Sequence, residues 1–163
     1  MLLPRVLCLG ICLASLLASV VVPHAVAATR AMTEGELVRN SSVVVDAWVK
    51  RLTSHWNQDR SLIFTTVQLD VSQTLYSRES PPGASLEIEI LGGELDGVGL
   101  MVSEASEFQV GEHVLVFAKP WAEGHFVLTG GPCGVMKVDD SGIVVGRPYN
   151  VKGFASQIPD LAR

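Results

Sequence analysis

Ile63-Phe64-Thr65-Thr66-Val67-Gln68-Leu69-Asp70-Val71 alternates without interruption. Ile63, Thr65, Val67, Leu69 and Val71 share one face, and Phe64, Thr66, Gln68 and Asp70 share the other, the period of a half-buried strand. Leu86, Ile88 and Ile90 repeat the pattern against Glu87 and Glu89, giving one dry face and one acidic face. Upstream, Val43-Val44-Val45 with Ala47, Trp48 and Val49 reads as a central strand, with Trp48 in the core. Residues 53–60 are polar and carry His55, Trp56, Asn57 and Asp59, so they read as a loop or hairpin connection.

The remaining punctuation is that of short strands. Pro81-Pro82-Gly83 breaks the chain after the alternating strand, because proline supplies no ladder donor and glycine opens a turn. Asp96-Gly97, in Gly92-Gly93-Glu94-Leu95-Asp96-Gly97, is a hairpin signal, after which 98–102 returns as a strand. An acidic connection, 104–112, leads into the buried strand 114–118, which Lys119-Pro120-Trp121 ends. Segments 126–128, 135–138 and 143–145 follow as short strands.

Helices are expected only at the two ends. Thr33 and Glu36 fit a capping box, with Met32 and Leu37 at the staple positions, for a helix from Glu34 to about Ser41. Phe154, Ile158 and Leu161 are spaced helically, with Pro159 holding that segment to a turn or two. Seven or eight strands with turns every 8–12 residues predict a mostly β fold. An antiparallel, OB-like barrel with the N-terminal helix over an opening is preferred, and a β-sandwich is the alternative.

The first 27 residues read differently. Arg5 precedes an apolar run, Val6 to Val22, that closes with Pro23-His24-Ala25-Val26-Ala27. This is the pattern of a secretory signal peptide with cleavage after Ala27, leaving a leader, 28–32, and a single domain, 33–163. An uncleaved anchor is the competing reading, since the run approaches bilayer-spanning length. A lipoprotein is disfavoured by Ile11, a bulky residue before Cys12. The expected location is therefore periplasmic or extracellular, with no stable membrane insertion after cleavage.

Charge and cysteine content narrow the function classes. The 163-residue chain carries 12 Lys and Arg against 17 Asp and Glu, a net charge of −5. Losing Arg5 would make it one unit more negative. An acidic chain without a basic cluster argues against nucleic acid and anionic membranes as partners. Cys8 and Cys12 leave with the signal, so Cys133 has no internal disulfide partner and stability must come from packing. No spacing implies a structural zinc or another cofactor.

The order of segments resembles that of exported OB-fold barrels of the netrin-like group, which includes the tissue inhibitors of metalloproteinases, and that of exported bacterial proteins with the same run of elements. The resemblance rests on strands 43–49, 65–75 and 86–91, on Gly92-Gly93, on Phe108-Gln109-Val110-Gly111-Glu112-His113 leading into 114–117, and on 130–138. It implies a barrel that binds other macromolecules through loops. The inhibitors' zinc-chelating N-terminal cysteine has no counterpart at Ala28, so that chemistry does not carry over.

Several residues invite a chemical reading. Cys133, in Gly-Gly-Pro-Cys-Gly, is a candidate thiol, with His113 or His125 as base. A small residue packed at a tight turn is the plainer reading. His55, His113, His125, Glu112 and Glu123 assemble a metal site only on paper, and Glu87 with Glu89 is more simply a solvated strand face than an acid/base pair. Trp56 and Trp121 are the aromatic candidates for a recognition surface, with His55 beside Trp56. Asn40-Ser41-Ser42 is a glycosylation sequon, relevant only in a eukaryotic secretory pathway.

Together these features predict an exported, non-enzymatic binding module whose partner is another exported protein, with Trp56, Trp121, His55 and Cys133 as the site residues. The alternatives are an envelope thiol or redox protein using Cys133 and a protease-associated, inhibitor-like factor. Expressed with its leader in an exporting host, the protein is expected to have an intact mass starting at Ala28. A mass that retains 1–27 would instead identify the uncleaved anchor.

Overall fold

A computed structural model describes residues 31–103 and 105–163, so the expected signal peptide and most of the leader lie outside the described residues. The alternation at 63–71 becomes part of a long strand. In chain order the elements are α1 (Glu34–Asn40), β1 (Val43–Trp56), β2 (Ile63–Ser77), β3 (Ser85–Leu91), β4 (Gly93–Leu95), β5 (Val98–Leu100), β6 (His113–Pro120), β7 (Phe126–Leu128), β8 (Val135–Val138) and α2 (Val151–Leu161).

Hydrogen-bonded neighbours run β1-β2-β3-β7-β6, and β6 returns to pair with β1, which closes five strands into a barrel. β8 lies outside β6, and β4 with β5 forms a separate hairpin. Within the barrel only β3 and β7 are parallel, meeting at Ile88 and Phe126. The order 1-2-3-5-4, closed on 1, is that of an OB-like barrel, not of a sandwich. Segment 143–145 is not a strand and makes isolated bridges only.

Closure requires strong curvature, and β1 and β2 supply it through irregular register. Their pairing shifts between Val44 and Val45, between Asp46 and Ala47, and between Val49 and Arg51. Such bulges bend a strand and increase its twist. The third shift, at Lys50, also inverts the faces of β1. Before it, Val43, Val45, Ala47 and Val49 point into the barrel core. After it, Leu52, Ser54 and Trp56 lie opposite Val67, Thr65 and Ile63 on the inner side, while His55 pairs with Phe64 on the outer side. His55 and Trp56 therefore sit on a strand, and the connection shrinks to 57–62. Trp48 is not core: it points outward and is 43% exposed.

A second apolar layer covers the outer face of β1 and β6. Val44, Leu115 and Phe117 pack against Leu37 and Val38 of α1 and Phe154 and Ile158 of α2. The N-terminal helix thus lies on the barrel wall instead of over an opening. Thr33 and Glu36 form the full capping box. Glu34 of α1 pairs with Arg147 at 2.7 Å, joining the helix to the segment before α2. α2 is longer than its Pro159 implied, because Asn150 caps it earlier, its side chain accepting from Gly153 N–H. Proline near the C-terminal end of a helix removes one donor without interrupting the turns before it.

The β4–β5 hairpin is fastened to the barrel by a close approach at Gly93. This glycine has φ +138°, and a Cβ there would lie 2.3 Å from Thr65 Oγ1 and 2.7 Å from Ser54 Oγ. The Thr65 hydroxyl donates to the Gly92 carbonyl at 2.7 Å and lies 3.1 Å from Ser54 Oγ. Gly93→Ala would force both backbone and contact to yield, and is expected to cost about 3 kcal/mol. Urea denaturation measures this, and a midpoint equal to wild type would show that the hairpin is not anchored there.

Candidate functional site

The site is built at the end of the barrel that carries this hairpin. Asp96 and Gly97 have φ +54° and +76°, as a two-residue turn matched to strand twist requires. The hairpin and the segment after it present apolar side chains to solvent. Val98 is 49% exposed and Met101 96% exposed, with Val102, Leu52 and Leu91 partly exposed beside them. A groove of about 450 Å³ runs between them, lined by Leu52, Leu91, Leu100, Met101, Val102 and Phe108. A second groove, of about 310 Å³, shares Ile90, Leu91 and Val102 with the first. The grouping of these exposed apolar side chains makes this end the candidate site.

The charge around the grooves has one sign. Glu94 and Glu107 line the first and Glu89 the second, and among the described residues neither is lined by a Lys or Arg. Trp56 lies on the same face of β1 as Leu52 and is half-buried opposite Ile63. The 57–62 connection beside it is held by its own side chains. Asn57 Oδ1 accepts from the Ser61 and Leu62 N–H groups, and the Ser61 hydroxyl donates to Asp59 at 2.7 Å. Hydrogen bonds from the Ser61 side chain and backbone hold the Asp59 carboxyl below the ordinary range.

Each histidine among the described residues faces a carboxylate. His55 Nε2 is 3.0 Å from Glu89 Oε1 and its ring stacks on Phe64. His125 Nδ1 lies 3.8 Å from Glu87, too far for a hydrogen bond. His113 Nε2 is 2.6 Å from Asp46, and its ring stacks on Trp48 with centroids 4.4 Å apart. Asp46 and the exposed Trp48 are the residues the sequence reading missed. Strict alternation through 43–49 is the signal that would have placed both outside. Glu87 and Glu89 are each matched with a different histidine, not with each other.

The residues expected to act together are dispersed. Trp121 is 59% exposed. It follows β6, whose Ala118 pairs with Val43 at the start of β1, whereas Trp56 ends β1, so the two tryptophans occupy opposite ends of the barrel. Cys133 is half-buried against the outer apolar layer. Of its flanking glycines, Gly134 serves close packing, since a Cβ there would lie 2.4 Å from the Thr129 carbonyl oxygen, whereas Gly131, at φ +58°, meets nothing within 4 Å and serves the turn. Among the described residues no histidine hydrogen-bonds to Cys133, and no group of three or more His, Cys, Asp or Glu side chains could hold a metal.

Glu112 has a structural task at the start of β6. Gly111, at φ +88°, allows a turn in which Glu112 N–H donates to the Gln109 carbonyl. The Glu112 carboxylate accepts from Gln109 N–H at 2.8 Å and from Lys137 at 2.6 Å. Burial raises the carboxyl, but Lys137 and the Gln109 N–H outweigh it and hold the group below its ordinary value of 4.5. The stabilisation is thus present above about pH 4.5 and is lost as pH falls through the lower folded value. Glu112→Gln is expected to cost about 1 kcal/mol at neutral pH, with the difference vanishing in acid. Thermal melts from pH 7 to 2 check this, and a difference independent of pH would refute the ionic contribution.

Fold and site define a class: an OB-like closed barrel with an apolar, acid-rimmed end. No protein-family model matches the chain and no curated protein matches it. Among the described residues no helix is long and apolar enough to cross a membrane.

Proposed function

We propose that this chain is an exported, non-enzymatic binding module that engages another exported protein through the hairpin end of its barrel. Export is supported by the sequence pattern of residues 1–27, and the macromolecular partner by the resemblance to netrin-like barrels. The observation that carries the reading is the near-complete exposure of Met101 on a groove walled by Leu52, Leu91 and Phe108, with Val98 also exposed on the hairpin. Apolar surface held open on a rigid frame is stabilised when a partner covers it. The thiol alternative draws no support from the packing of Cys133 against the outer apolar layer, and among the described residues no histidine hydrogen-bonds to it.

The test uses immobilised residues 28–163 to capture partners from the envelope and culture fluid of the native host. A near-stoichiometric partner is expected with wild type and with Trp121→Ala, which alters the opposite end. The double variant Val98→Asp, Met101→Asp is expected to lose it by at least tenfold while melting within a few degrees of wild type. Equal recovery by the double variant would place the binding surface elsewhere.

A further inference from the structure

β5 is an open edge. Among the described residues its only strand partner is β4, and no backbone hydrogen bond outside the hairpin involves 98–101. A Cβ on Gly99 would meet nothing within 4 Å. Lysine, proline and inward charges are among the devices that blunt exposed edges. Val98-Gly99-Leu100-Met101 contains none of the three, and only the three-residue length of β5 limits this edge. The edge is also held in place, by the two-residue turn at Asp96-Gly97 and by the seat of Gly93 on Thr65 and Ser54.

We propose that an extended segment of the partner adds to β5 as a third strand, and that this segment alternates apolar with basic side chains. The proposal rests on the reading of this barrel end as the binding surface and specifies how it is used. Main-chain pairing to the edge supplies affinity, and alternate side chains of the added strand point toward the sheet's neighbouring groove. That groove is apolar, lined by Leu52, Leu91, Met101 and Phe108, and receives every second side chain. Glu94 and Glu107 are exposed in the lining of the same groove, so lysine or arginine flanking the apolar positions of the segment is attracted to them. The net charge of −5 weighs against a second copy as the occupant, because two like-charged chains repel.

The probe is an acetylated, amidated heptapeptide, Lys-Val-Arg-Leu-Lys-Val-Arg, titrated into ¹⁵N-labelled residues 28–163, with amide exchange read residue by residue. Two controls share its design: one has every basic residue replaced by glutamate, and the other is N-methylated at alternate positions, which removes strand donors but keeps the side chains. The expected result is at least a tenfold slowing of amide exchange within 98–101 with the parent peptide and with neither control. Binding that survives N-methylation would overturn strand addition while leaving the groove as a binding surface. Equal binding of the glutamate peptide would overturn the basic partner. Protection of 98–101 that grows with protein concentration alone would identify a second copy instead. No binding of the parent peptide at millimolar concentration would reject the proposal, whatever the capture experiment shows.

Discussion

Every other feature of this molecule depends on β1 pairing along both of its edges. Its first half bonds to β2 on one side and to β6 on the other, and that double pairing turns a five-strand sheet into a closed wall. A barrel this small leaves an interior only as wide as its own side chains. Valines and two alanines from β1 and β6 fill it with Val67, Leu69 and Ile88. The outward side of the same strands then has to be finished separately, and the two helices do so over Val44, Leu115 and Phe117. Two apolar layers share one sheet.

The extra residue at Lys50 divides β1 into halves of opposite facing. Trp48, before it, stands outside on the imidazole of His113, while Trp56, after it, turns to the inner side. Lys50 itself reaches Asp70 at 3.1 Å, a surface pair on the flank of the bulge. The shift also puts Ser54 next to Thr65, where their hydroxyls receive the glycine at the base of the hairpin. A single irregularity in register thus determines which aromatic groups face solvent and where the hairpin is seated.

How much of this was legible in the sequence follows from which signals are local. The alternation of 63–71, the break at Pro81-Pro82-Gly83, the Asp96-Gly97 turn and the Thr33/Glu36 cap each depend on neighbouring residues, and each appears in the structure where expected. The bulge at Lys50 has no such signature, because it is set by pairing with β2, so His55 and Trp56 read as loop and Trp48 as core. The same holds for the candidate site. Val98 and Met101 read as an ordinary returning strand, and nothing local shows that this strand has one partner where each barrel strand has at least two. Cys133 stands out in the sequence through its glycines, and one of them, Gly134, is required by contact with Thr129, a relation visible only after folding.

The hairpin rests on the barrel through a narrow foot. β4 touches β1 and β2, while β5 rests chiefly on β4. The side chains at its tip and outer edge contribute nothing to the interior of the barrel, and the foot depends on glycine and two hydroxyls instead of on the hairpin's own apolar residues. Change can therefore accumulate in residues 94–100 without disturbing the scaffold beneath. The barrel is thus a scaffold whose stability is uncoupled from the side chains of the hairpin it carries, apart from the positive-φ turn at Asp96-Gly97.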